Sequence, residues 1–236
     1  MKKIIFIALL GCCFLRCTNS EEEITYQYPS NLSFTKYEIL DNVKVYTKDG
    51  EINDPIVVKK FINDGIVKKT FEDKIGTENT SNNEVVIIFE SKDSISIKDF
   101  GEWRKFGISY QKDNMYAVPK DTLKFILPEA SNLELLKLEA NIGLTKGYFD
   151  ITPLPSSAGQ QDFYNIKSFI KPLFRGNPNE ISIKGMGCKI KLKTGSTSFQ
   201  KFMYNEGFDK NVISSLKIGD TIAVQNKKQI YQRLVN

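Results

Sequence analysis

Glu102 and Trp103 are the most suggestive neighbours in this 236-residue chain for chemistry on a bound molecule. An indole stacks on the face of a sugar ring, and an apolar wall raises a carboxyl's pKa toward the range of a general acid. That is one half of a glycoside-hydrolysis site. The other half is a second carboxyl at about 5 to 10 Å, and no other acid in the sequence stands in a distinctive motif. The plainer reading makes Trp103 a core or loop anchor. Histidine is absent altogether, which excludes Ser-His-Asp and Cys-His catalysis, histidine-ligated zinc and histidine pH switches. Gly143-Leu144-Thr145-Lys146-Gly147 lacks the spacing of a phosphate loop, and Asp49-Gly50-Glu51 and Asp220 lack that of a calcium loop. No cofactor or metal is implied.

The remaining reactive side chains are cysteines. Cys12, Cys13 and Cys17 close an apolar run, Ile4 to Leu15, that follows Lys2 and Lys3. A positive start and a run of this length match a secretory signal, and the run is too short to cross a bilayer as a helix. A cysteine directly after such a run is the site of thioether lipidation, and more than one acyl chain makes anchoring stable. Leu9-Leu10-Gly11-Cys12 supplies the small residue that precedes a lipidated cysteine, but leaves a short signal. Cys17 gives a normal signal length, but Arg16 precedes it. The lysine pair, the short run, the cysteine and the acids Glu21-Glu22-Glu23 together resemble the lipoproteins of the Bacteroidota. In that group an acidic run just after the cysteine accompanies export to the cell surface. The resemblance covers the first tenth of the chain, and Arg16 departs from it. It implies a lipid anchor at Cys17, with Cys12 as the alternative, and a location at the bacterial outer membrane on either its surface or its periplasmic face.

Removing Lys2, Lys3 and Arg16 with a signal of residues 1–16 leaves 30 basic against 28 acidic side chains. Interspersed charges close to balance exclude a nucleic-acid footprint. Residues 17–30 read as a tether, although Tyr26 and Tyr28 are also able to pair with a first strand. Residues 31–236 are long enough for one large domain, with a subdomain split near residue 150 as the rival. Cys188 is then the lone thiol of the folded region, so no internal disulfide or thiolate zinc cluster forms, and a small core residue is its expected role.

The elements that must position these residues are mostly strands. Period-two runs are expected over Tyr37 to Tyr46, Val85 to Phe89, Ser94 to Lys98, Phe106 to Tyr110, Met115 to Val118 and Thr122 to Leu127. Asp54-Pro55 opens a helix with an apolar stripe of Val57, Val58, Phe61 and Ile62, and Gly65 is its expected stop. Leu133 to Ile142 is ambiguous and is assigned to strand. Glu78 to Asn83 and Asp150 to Gln161 read as loops. Ile181 to Lys193 alternates with a slip in phase at Gly185 and Gly187, where a hairpin or a bulge is expected. Lys189, Lys191 and Lys193 share one face of it, either solvated or a cationic stripe for an anionic glycan or lipid headgroup. Asp209 to Leu216 suggests a short capped helix before a final hairpin with its turn at Gln225 to Lys228.

These patterns predict an α+β, β-rich fold: a mainly antiparallel barrel-like or sandwich domain with two short helices. The leading functional expectation is a non-enzymatic lipoprotein that holds a small apolar ligand or a glycan in an aromatic barrel mouth, with Trp103 and Glu102 as contacts. The alternatives are a structural or interaction subunit of an outer-membrane assembly and, more remotely, a carboxylate-dependent glycoside hydrolase. The expected partners are the lipid bilayer, the ligand or glycan, and an envelope protein.

Overall fold

Runs with every second residue apolar dominate the chain, and they become strands because successive side chains then fall on opposite faces. The computed structural model describes residues 25–64, 71–79, 84–99, 101–111, 114–120, 123–127, 130–142, 149–153, 164–168 and 173–234. The early strands are β1 (Ser30–Ile39), β2 (Lys44–Thr47), β3 (Gly50–Ile52), β4 (Gly76–Asn79), β5 (Val85–Ser91) and β6 (Ser94–Asp99). They are followed by β7 (Glu102–Gln111), β8 (Asn114–Pro119), β9 (Leu123–Leu127), β10 (Phe149–Pro153) and β11 (Tyr164–Ser168). The last four are β12 (Leu173–Asn177), β13 (Glu180–Lys191), β14 (Thr197–Tyr204) and β15 (Thr221–Arg233). The helices are α1 (Pro55–Asn63) and α2 (Ala130–Ile142), with a 3-10 helix over Lys210–Ser215.

Eight antiparallel strands close into a barrel in the order β13-β12-β8-β7-β6-β5-β1-β15, because β15 pairs back onto β13. Each strand sends alternate side chains inward: Leu32, Phe89, Ile95, Phe106, Met115, Phe174, Ile183 and Tyr231 belong to one buried cluster. An eight-stranded barrel is just wide enough for side chains to fill it, and three buried phenylalanines do so here. The barrel takes strands from both sides of residue 150, so no division of the sheet falls there. Strands β10, β11 and β9 form a separate three-stranded sheet.

Strands β13 and β15, of 12 and 13 residues, overrun the barrel. Their far halves pair with β14 and with β2, which pairs with β3, to make an extension with a helical layer on each face. On one face α2 and the 3-10 helix cover Met186, Cys188, Ile190, Ile222 and Val224. On the other, Val58, Phe61 and Ile62 of α1 pack with Phe71 against Val45 and Ala223.

This explains the apparent slip in β13. The register with β15 is unbroken from Glu180 to Lys191, so of the two expected alternatives at Gly185 and Gly187 the hairpin does not form. The irregularity is a bulge against β14, between Met186 and Cys188. The odd-numbered face runs from the barrel lumen (Ile181, Ile183) to the underside of α1 (Lys189), while the even-numbered face is buried only in the extension. The burial pattern changes because the covering layer changes, with the strand's own alternation intact.

Four further expectations are corrected. Leu133 to Ile142 is helical: Leu135, Leu138 and Ile142 recur at helical spacing against the sheet, and strong helix formers fill the segment. The final hairpin is one continuous strand, β15. Glu78 lies in β4 and Asp150 in β10, where both were read as loop. Tyr37 to Tyr46 divides into β1 and β2 around Asp41, whose carboxylate accepts from the Asn226 backbone and side chain. The predicted Asp54 cap is present, accepting from Ile56 N at 2.8 Å; Gly65 lies outside the described residues.

Candidate binding surfaces

Trp103 and Glu102 open β7 at one end of the barrel. Phe106 points into the lumen, so alternation turns Trp103 outward, and it remains 45% exposed. Its register partner across β6 is Lys98, which pairs with Glu84 at 2.5 Å. On the same outer surface Ser96 donates to Glu90 at 2.6 Å, and this bond, more than the Lys105 charge, holds the Glu90 carboxyl below its usual range. Glu102 projects to the opposite side of the strand and is also exposed. The two residues therefore do not converge on one cleft, and the apolar wall that general acid catalysis requires is not built around Glu102. What the surface offers is an open indole ring framed by ion-paired charges.

The lysine face of β13 is not a free cationic stripe. Lys189 is 1% exposed. Its ammonium donates to the Phe61 and Asp64 carbonyls at the C-terminal end of α1, and lies between the Phe61 and Phe199 rings. Burial lowers its pKa, while the carboxylate of Asp64 works in the opposite direction. Lys191 bonds Asp64 at 2.8 Å and, with its charge, holds that carboxyl low. The stripe is thus a helix-docking device, because a cation at a helix C-terminus meets the negative end of the dipole and the unsatisfied carbonyls. Cys188, on the opposite face, is wholly buried, and burial pushes its thiol pKa far up, as suits an inert core residue.

Two open depressions lie elsewhere. One, of about 680 Å³, runs along the outer side of α1 past Ile56, Lys59 and Asn63. The other, about 490 Å³, is lined by Arg175, Asn177, Glu180 and Lys228 near the β12–β13 turn, and Arg175 is already paired with Glu206 at 2.7 Å. Val57, expected in the apolar stripe of α1, is exposed together with Ile56.

Sequence reasoning missed a cluster at the barrel end away from Trp103. The start of β1, the β5–β6 turn, the end of β7, the start of β8, the β12–β13 turn and the end of β15 all meet there, as the registers Ser30–Phe89, Ser91–Ser94, Gln111–Asn114, Asn177–Glu180 and Leu32–Arg233 require. Tyr28 and Tyr110 are exposed on this rim, at 36% and 54%. Tyr110 donates to the Lys92 carbonyl at 2.8 Å. Its phenol pKa is raised by partial burial first, then by Tyr28, Asp93 and Tyr26. The signal was present in the aromatic spacing of Tyr26 and Tyr28, but only the barrel brings Tyr110 to them. Cys17 and Cys12 lie outside the described residues.

No protein-family model, curated protein or solved structure matches this chain.

Proposed function

We propose that this chain is a lipid-anchored protein of the bacterial outer membrane that works by non-enzymatic binding, and that it binds an envelope protein on its outer surface. The anchor rests on the lysine pair, the apolar run and the cysteine at position 17, or alternatively 12. The choice of surface over lumen rests on one observation: Phe89, Phe106 and Phe174 fill the barrel, leaving side chains where a small apolar ligand was expected to sit. An eight-stranded barrel that has spent its interior on packing acts as a rigid scaffold for what is displayed outside it.

Native mass spectrometry of the mature chain from its own host tests this directly. The expected result is the lipidated polypeptide alone or with a protein partner. A constant small-molecule adduct that leaves only on unfolding would return the function to an internal pocket. A second reading is favoured by Trp103: an exposed indole on a rigid strand is a stacking platform for a glycan. Retention on immobilised polysaccharide that disappears in Trp103→Ala, with the fold intact, would support that reading over the protein partner.

A further inference from the structure

We propose that the barrel rim bearing Tyr26, Tyr28 and Tyr110 rests in the headgroup layer of the membrane, so that the Trp103 end points away from it. This rests on the lipid-anchor reading and gives it an orientation.

The first support is where the first strand starts. β1 begins at Ser30 on this rim, five residues after Thr25. Thr25 is eight residue steps from Cys17, and fully extended these reach no more than about 29 Å at about 3.6 Å each. β15 measures at most about 44 Å along its own path for 13 residues at about 3.4 Å per residue. A lipid at Cys17 therefore keeps this rim near the bilayer, and the far end, with the 3-10 helix and the β13–β14 turn, lies beyond the tether's reach in an end-on arrangement.

The second support is chemical. A tyrosine presents an apolar ring with a polar tip, which suits the boundary between acyl chains and water. The Tyr110 hydroxyl is tied to the Lys92 carbonyl, leaving its ring exposed on a fixed strand. The charges at the rim are mixed: Lys92 and Arg233 against Asp93 and Glu180. The surface therefore fits a largely zwitterionic headgroup layer and does not depend on anionic lipid. The competing membrane face is α1, where Ile56 is 77% exposed beside Lys59 and Lys60. It packs on the extension near Ala223, some ten residues along β15 from the rim end at Arg233, roughly 34 Å away at about 3.4 Å per residue.

The test uses the lipidated full-length protein in phosphatidylcholine vesicles containing a lipid with a nitroxide on its headgroup, which quenches nearby indole fluorescence. Trp103 is the chain's single tryptophan and reports the far end of the barrel. Its emission is expected to be unchanged. In a Trp103→Phe background, Tyr110→Trp and, independently, Tyr28→Trp are expected to lose most of their emission. Ile56→Trp in the same background is expected to lose none. Quenching at Ile56→Trp or at Trp103, with none at either rim position, overturns the proposal while the anchor survives. Intact-mass measurement of the same sample separates the two failures: a chain without a lipidated cysteine that stays off the vesicles overturns the anchor and the orientation together.

Discussion

The Lys189 ammonium lies 4.6 Å from the centre of the Phe61 ring and 5.1 Å from that of Phe199, while its protons point at the Phe61 and Asp64 carbonyls. A strand lysine thus closes the C-terminus of a helix more than a hundred residues earlier in the chain. The other helix is closed in a parallel way, by Asn205, which donates to the Ile142 carbonyl at 2.9 Å. In the first case a sheet residue, and in the second the residue directly after β14, supplies the donor that a helix end lacks.

Lys189→Ala removes the stem and leaves two helix-end carbonyls without their donor. A buried acceptor left unsatisfied costs about 1–3 kcal/mol, so a loss of about 3 kcal/mol is expected from urea unfolding. Lys189→Met keeps most of the packing and is expected to lose less. Both variants should also be cut faster by trypsin at Lys59 and Lys60, since α1 then keeps its apolar contacts through Val58, Phe61 and Ile62 and the exposed Lys191–Asp64 pair but loses the buried tie at its end.

Stability should fall in alkali through Tyr46. Burial first, and then Glu51, push its pKa up from 10.0 to about 12. The folded state keeps the phenol proton over an interval in which the unfolded state has lost it. The stabilisation is therefore complete below pH 10 and disappears as pH rises toward 12. Tyr231 is raised in the same direction by burial. Thermal melts across this interval should show a drop in Tm that is shallower in Tyr46→Phe. An equal slope in both proteins would mean that Tyr46 does not contribute.

Gly185 allows close approach at the inner end of the lumen. A Cβ built there would run into the Met203 carbonyl oxygen and the Phe202 ring, which reaches this point from β14 beside its bulge. Gly185→Ala should destabilise the fold by about 1–3 kcal/mol, the usual cost of overpacking. Shortening the ring with Phe202→Leu should not restore the loss, because the backbone oxygen remains. Full recovery in the double variant would show the ring to be the sole obstacle.

The eight-stranded closure was half legible in the sequence. Periodicity marks β5, β6, β7 and β8 because each has one face in the lumen and one in water. It gives no warning that β13 and β15 pair along their whole length, since that contact joins Glu180 to Gln232 and Lys191 to Thr221. α2 reads two ways because Leu133 and Leu135 alternate as in a strand, while Leu135, Leu138 and Ile142 fall at helical spacing on one face. The lysine stripe was misread for a related reason. A lysine opposite buried apolar residues normally faces solvent, and only the distant α1 C-terminus makes burying Lys189 tolerable. Trp103 is exposed on the outer face of β7. Its partnership with Glu102 was an inference from adjacency, which in a strand sends two side chains to opposite faces.

Cys188 makes the choice between the two anchor cysteines measurable by counting thiols. It is buried, and burial holds its thiol protonated, so it should not react with a thiol reagent until the protein unfolds. A lipidated cysteine is a thioether and does not react at all. If Cys17 carries the lipid, the mature chain retains Cys188 alone, and the reduced protein should show no reactive thiol when native and one in denaturant. If Cys12 carries it, Cys13 and Cys17 remain in the mature chain ahead of the first strand, and the denatured count rises to three. The native count also separates the cases, since Cys13 and Cys17 precede the packed barrel whose core shields Cys188. The Cys12 outcome lengthens the tether from eight to thirteen residue steps before Thr25, an extended reach of about 47 Å at about 3.6 Å per residue. The rim would then be held less closely to the bilayer, and the weaker headgroup quenching expected at Tyr110→Trp would follow from the same count.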